Sequence, residues 1–212
     1  MSPTLPKTRP VTAVVRRNRK APRVVKRSTR ALAAVRGSAA QYAPLVGFLA
    51  VTTAAAAYGS QFNPTPRNPD TELWYAAQKT SRFNPPPAVR GPVWAALYGM
   101  IAVAGWRVYR APRSRARSEA LVWWAAQMSL NAAWTPLFFG ERKPRAALAD
   151  LVALTGAIGG FTASARKVDR GAAALMIPYL GWVTFAGYLN AEIVRLNRPV
   201  TERHVIAALE GV

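Results

Sequence analysis

The stretch from Ala120 to Phe139 reads ALVWWAAQMSLNAAWTPLFF, twenty residues without a charge. At about 1.5 Å per residue a helix of that length is roughly 30 Å long, the thickness of a bilayer's hydrocarbon core. Lipid offers the backbone no hydrogen-bond partners, so an apolar segment of this length is expected to be helical. Its two amide side chains, Gln127 and Asn131, lie four apart and therefore share one helical face. Intramembrane polar groups are costly in contact with lipid, so that face is expected to turn toward a bundle interior or a pocket.

Working outward, four further blocks have the same character. Residues 42–62 (YAPLVGFLAVTTAAAAYGSQF) carry no charge. Residues 92–109 begin with a proline expected at a helix start and hold only Arg107, near the end where it can snorkel. Residues 146–165 contain Asp150 and, in a GxxxG spacing, Gly156 and Gly160. Residues 172–196 contain Pro178, Asn190 and Glu192. A chain of 212 residues cannot bury five such helices on all sides in one soluble core. The expected fold is an all-α integral membrane protein, a five-transmembrane-helix bundle. Short charged connectors at 110–117, 141–144 and 166–171 make successive spans antiparallel neighbours. Only the first connection is long, about 29 residues from Asn63 to Gly91, rich in Pro and Asn and carrying Trp74 and Tyr75; it is either a lid or a floppy linker. No internal repeat is visible, which weighs against an inverted-repeat transporter.

The charge is segregated. Of 29 Lys and Arg residues against nine acids, 11 lie in residues 1–42, which hold no acid, and this tail draws the mean hydropathy down to +0.03. The chain therefore divides into a basic, disordered or targeting extension (1–42), a transmembrane domain (43–197) and a short tail (198–212). The extension's composition suits an organelle transit peptide, a polybasic arm on anionic membrane lipids, a nucleic-acid arm or a solvated tail without a partner. No base-reading fold accompanies it, so nucleic acid is not favoured. With five spans, 19 cations fall on the N-terminal side and ten on the other; without the extension the count is eight against ten, so the positive-inside rule leaves the orientation open.

Several chemistries are poorly supported. There is no cysteine, hence no disulfide framework, thiolate nucleophile or thiolate-bound metal. The single histidine, His204, lies beyond the last span, so neither a multi-His metal site nor a Ser, His and acid set is indicated. Asp150 and Glu192 stand on different spans; Asp150 reads as a structural group that accepts a hydrogen bond or pairs with a basic loop residue. No catalytic residue and no metal site are assigned. Trp106 and Trp74 fit an interfacial aromatic belt. Trp94, Trp134 and Trp182 instead lie near amides such as Asn131 and Asn190, and aromatic faces with a few amide groups suit a large, flat, mostly apolar ligand. Each amide serves equally well as a bridge between helices.

Several motifs in order now resemble the translocator protein family, the tryptophan-rich sensory or TspO/MBR proteins, over roughly residues 44–197. They are Trp74-Tyr75, Pro85-Pro86, Gly91-Pro92-Val93-Trp94 and Leu97-Tyr98; Gln127, Asn131 and Trp134, followed by Pro136, Phe138, Phe139 and Gly140; Asp150; and Pro178-Tyr179-Leu180, Trp182, Phe185-Ala186 and Leu189-Asn190. The resemblance implies a five-helix bundle, often dimeric, that binds porphyrins, haem and in some members sterols or synthetic ligands beneath the first loop, with no obligatory cofactor. Trp74, Tyr75, Trp94, Tyr98, Gln127, Asn131, Trp134, Phe138, Trp182, Ala186 and Leu189 are then the candidate ligand-binding residues. Trp94 and Trp182 would be the pair implicated in light-dependent tetrapyrrole degradation.

The chain departs from the family pattern in places. Ala88 replaces the loop's second tryptophan, and Thr80 and Ser81 replace a Lys-Pro pair. Ala191 occupies the tyrosine position of the proposed cholesterol motif, and Tyr188 stands one residue too far from Arg195. The long basic extension is more like that of plant-type relatives. The expected function is an integral membrane sensor or carrier for a tetrapyrrole or another lipophilic small molecule. Light-dependent tetrapyrrole degradation and a sterol or porphyrin transporter are the alternatives, and homodimerisation through Gly156 and Gly160 is an open partner question. An organelle membrane is expected in a eukaryote and the cell envelope in a bacterium.

Overall fold

The computed structural model describes residues 23–197, with side chains from residue 42 onward. The C-terminal tail and residues 1–22 of the basic extension lie outside the described residues. The chain divides into two units, Met1–Tyr42 and Ala43–Val212. The described secondary structure is entirely helical: α1 (Arg23–Ser60), α2 (Pro69–Ala76), α3 (Pro87–Arg110), α4 (Arg115–Thr135), α5 (Pro144–Arg166), α6 (Arg170–Leu175) and α7 (Ile177–Leu196), with a π-helical turn over Pro136–Gly140.

Four segments among the described residues are long and apolar enough to cross a membrane: Tyr42–Ser60 of α1, then α3, α5, and α6 with α7 taken together. Helix α4 is long enough but less apolar. Its first turns hold Arg115, Arg117 and Glu119, which the uncharged block beginning at Ala120 left out, and its interior carries Gln127, Ser129 and Asn131.

Two sequence expectations about helix starts are corrected. Helix α3 begins at Pro87, with Pro86 as its N-cap, so Pro92 lies inside the helix and not at its start. A proline in the first turn gives up an N–H that has no intrahelical partner, so the Pro85–Pro87 run starts the helix one turn early. The last block is also not continuous. Pro178 has no N–H to offer residue 174, and the chain tightens at Met176, whose N–H donates to Ala173 O at 3.2 Å, before α7 resumes.

Pro136 has a similar effect on α4. It cannot donate to residue 132, and the following turn widens until Glu141 N–H donates to Pro136 O at 2.7 Å. Arg142, with φ 55°, reverses the chain toward α5. Adjacent Phe138 and Phe139 are both buried as a result.

The core follows helical spacing: Leu97, Ile101, Ala104 and Val108 on α3, Ala120, Trp124 and Met128 on α4, and Leu151, Leu154, Ile158, Phe161 and Ala165 on α5. Large apolar side chains on the opposite faces, such as Val122 and Val152, are about two-thirds exposed, as expected for surfaces solvated by lipid. Of the GxxxG pair, Gly160 packs beneath Trp123 of its own chain while Gly156 faces open space.

The apolar part of α1 is the least embedded span, with 6% of it buried. Phe48 anchors it, meeting Trp124 edge-on at 4.7 Å above Gly105. Trp124 Nε1 donates to Ile101 O at 3.0 Å. Only a residue without a Cβ fits here, because an ideal Cβ on Gly105 would lie 2.6 Å from Trp124 Nε1 and 2.7 Å from Phe48 Cδ1.

At one end of the bundle, Asp169 caps α6 by accepting from Ala172 N–H at 2.9 Å, and it pairs with Arg107 through two contacts of 3.0 Å. Burial acts to raise the Asp169 pKa, but the Arg107 bonds and charge and the Ala172 and Gly171 N–H groups outweigh it, so the carboxyl titrates below its ordinary value.

Candidate ligand-binding cavity

A cavity of about 450 Å³ opens between the end of α1, the connection before α3, and the interior faces of α3, α4, α5 and α7. That is within the range of small-molecule sites. The connection over it is built of specific bonds. Helix α2 begins Pro69-Asp70-Thr71-Glu72, with a proline at its first position and acids at its positive end. Asn68 folds back, its Nδ2 donating to Gln61 O at 2.7 Å and Asn63 O at 3.0 Å. Lys79 N–H donates to Asn197 Oδ1 and Asn197 Nδ2 donates to Lys79 O, both at 2.9 Å, tying the connection to the end of α7. Arg142 Nη2 donates to Asp70 O at 3.3 Å.

The walls are aromatic. Trp134 stacks on Phe138 with centroids 5.1 Å apart, and Phe139 stands edge-on to Phe138 at 4.8 Å, so the π-helical turn presents one aromatic surface. Trp94 on α3 lies 5.4 Å from the Tyr98 ring, and Trp182 and Phe185 come from α7. On the α3 and α4 side of the cavity the Tyr98 hydroxyl donates to Asn131 Oδ1 at 2.8 Å, and Asn131 Nδ2 donates to the Tyr179 hydroxyl at 2.9 Å. Asn131 is thereby fixed with its amide shared between two phenols. Asn190 bridges helices in the same way, accepting from Trp134 Nε1 at 3.4 Å and donating to Pro144 O at 2.7 Å.

Nine of the eleven residues singled out in the sequence line this cavity: Tyr75, Trp94, Tyr98, Asn131, Trp134, Phe138, Trp182, Ala186 and Leu189. Two do not. Trp74 packs behind the wall, edge-on to Phe138 at 5.7 Å. Gln127, one turn before Asn131, is fully buried within the helical core, and neither of its amide atoms has a hydrogen-bond partner. The expectation for Asp150 also needs correction: it is buried, its Oδ2 has no hydrogen-bond partner, and no basic residue pairs with it among the described residues.

Sequence reasoning passed over Phe139, Asn84 and Arg90 as cavity residues, and gave Tyr179 no role beyond its place in a motif. Tyr179 was recoverable from Asn131, since a buried amide needs donors and acceptors and a tyrosine on the facing span supplies them. Phe139 was hidden because it is adjacent to Phe138, and α-helical periodicity does not place neighbours on one face. Among the described residues there is no cluster of His, Cys, Asp or Glu that could hold a metal ion.

The fold and site define a class: a multi-pass α-helical integral membrane protein with an aromatic cavity among its helices. A family model described as the TspO/MBR family matches residues 48–196, and the chain belongs to that family. It is 37% identical over 126 residues to a translocator protein homolog of Schizosaccharomyces pombe, covering 58% of this chain and 77% of that one. It is 35% identical over 161 residues to the translocator protein of Bos taurus, and 33% identical over 156 residues to the tryptophan-rich sensory protein of Cereibacter sphaeroides. Each of these covers 74% of this chain and 92% of the relative.

Proposed function

We propose that the protein is a membrane sensor or carrier that binds tetrapyrroles such as protoporphyrin or haem, and other flat lipophilic molecules, in this cavity. The observation that carries the reading is the convergence of Trp94, Trp134, Phe138 and Trp182 on one apolar space with the fixed Asn131 amide at its edge. Flat conjugated rings stack favourably on such walls, and a single oriented amide suits a ring nitrogen or a peripheral polar group. In this reading α4 is the fifth span. Its two amides, Gln127 and Asn131, turn inward, while Val122 faces outward and the exposed Ser129 hydroxyl is satisfied within the helix by donating to Ala125 O at 3.1 Å. The connection carrying α2 acts as a lid that opens when its bonds to Asn197 and Arg142 release.

The test is a titration of purified, full-length protein in nanodiscs with protoporphyrin, followed by tryptophan quenching. Saturable binding in the micromolar range, weakened severalfold in Trp94→Phe, is the expected result; absence of saturable binding would refute the reading. Because Trp94 and Trp182 both line the cavity, a second reading is light-dependent porphyrin breakdown. Under illumination the complex would lose porphyrin absorbance faster than free porphyrin, and the excess loss would vanish when both tryptophans are replaced by Phe. Equal bleaching rates would reject it.

A further inference from the structure

Arg90 is the one charged side chain among the described residues that line the cavity. It stands in the first turn of α3, half-buried, with its guanidinium 5.9 Å from the centre of the Tyr75 ring. Among the described residues the basic side chains in ion pairs are Arg107, Arg115, Lys143 and Arg195, and Arg90 belongs to none of these pairs. Among the described residues no carboxylate lines the cavity to balance it. Beside it, Asn84 Nδ2 donates to the Tyr75 hydroxyl at 2.9 Å, which holds the ring under the guanidinium. The positive end of α3 adds to the field at the same place.

A cation in a largely apolar cavity, with five N–H donors in a planar fork and no anionic partner, favours an anion that can accept two of them. We propose that Arg90 selects the ligand's charge: the site takes a flat apolar body bearing a carboxylate on its edge, and Arg90 receives that carboxylate at the rim while the ring lies on the aromatic wall. This rests on the binding function proposed above and adds to it the chemical class of ligand. Uncharged molecules of the same shape would bind through the wall alone. An anion placed here would also compete with the Tyr75 ring for the guanidinium and so loosen the contact between α3 and α2.

The experiment compares protoporphyrin, which carries two carboxylates, with its uncharged dimethyl ester, each titrated into the full chain in nanodiscs of zwitterionic lipid. The chain is used as wild type, Arg90→Gln, Arg90→Lys and, as a control for general charge, Arg82→Gln at an exposed position. Wild type and Arg82→Gln are expected to prefer the acid by roughly tenfold, since a charge-assisted pair is about twice as strong as a neutral one. Arg90→Gln should bring the acid-to-ester affinity ratio to about one, whatever change in the wall the two ligands share, and its saturable ester binding shows that the variant is folded; Arg90→Lys should keep part of the preference. An acid preference that persists in Arg90→Gln, or none in wild type while both ligands bind, overturns this inference and leaves the binding function standing. Failure of both ligands to bind any variant overturns the binding function and the inference with it.

Discussion

Replacing Gly105 by alanine tests the contact that anchors α1 to the rest of the bundle. The added methyl would lie 2.6 Å from Trp124 Nε1 and 2.7 Å from both Cδ1 and Cε1 of Phe48, nearly an ångström inside ordinary contact. Trp124 cannot withdraw without giving up its bond to Ile101 O, so Phe48, and α1 with it, must move. Overpacking of this kind costs about 1–3 kcal/mol, and contact with two aromatic rings places it near the upper end. Alanine's better helix propensity returns about 1 kcal/mol. The net loss is then about 2 kcal/mol, or a fall in Tm of roughly 4–8 °C for a chain of this size. The assay is thermal unfolding in detergent followed by tryptophan fluorescence, with Gly99→Ala as the control, because a Cβ at Gly99 meets nothing within 4 Å. Since Ala56 and Gly59 of α1 line the cavity, porphyrin affinity should fall in Gly105→Ala as well. A Tm for Gly105→Ala equal to that of Gly99→Ala would refute the reasoning that Phe48 and Trp124 fix α1.

Gln127 is buried with its amide unpartnered, so Gln127→Met should be neutral or raise stability by about 1 kcal/mol; a loss of stability in the same melt would show that the amide has a partner. Asp169→Ala removes a helix cap and the partner of Arg107, at a cost of about 1–2 kcal/mol read from the same melts. Because the folded-state pKa of Asp169 is lowered, its contribution is fully present above the unfolded carboxylate value of about 3.9 and is lost as pH falls through the folded value. Wild type and Asp169→Ala should therefore converge in stability on acidification below that point, and a constant gap would contradict the assignment.

Much of this was legible in the sequence because lipid imposes a simple rule: long apolar blocks become helices, and polar residues on them turn inward. Asn131 followed that rule into the cavity, and Gln127 followed it only into the core. Spacing places both on one face of α4 but does not reveal how far along the helix the cavity extends. Trp74 and Tyr75 illustrate a related limit. They are neighbours in α2, so one can line the cavity while the other packs behind it, and their adjacency does not say which. The irregular turns at Pro136 and Pro178 depend on which carbonyl each proline leaves unpaired, a question composition does not pose. Arg90 was hidden by its position: at the edge of an apolar block it reads as one more connector charge, and only the return of α2 over α3 makes it part of a wall.

The π-helical turn over Pro136–Gly140 makes chain length, as well as residue identity, a determinant of the aromatic wall. A turn closed by a bond across five residues accommodates one residue more than the α ladder would need. Deleting a single position there would rotate the neighbouring side chains by about 100°, carrying one of the two adjacent phenylalanines away from the cavity. Substitutions in this segment change the wall's texture, whereas a one-residue gain or loss would re-aim it.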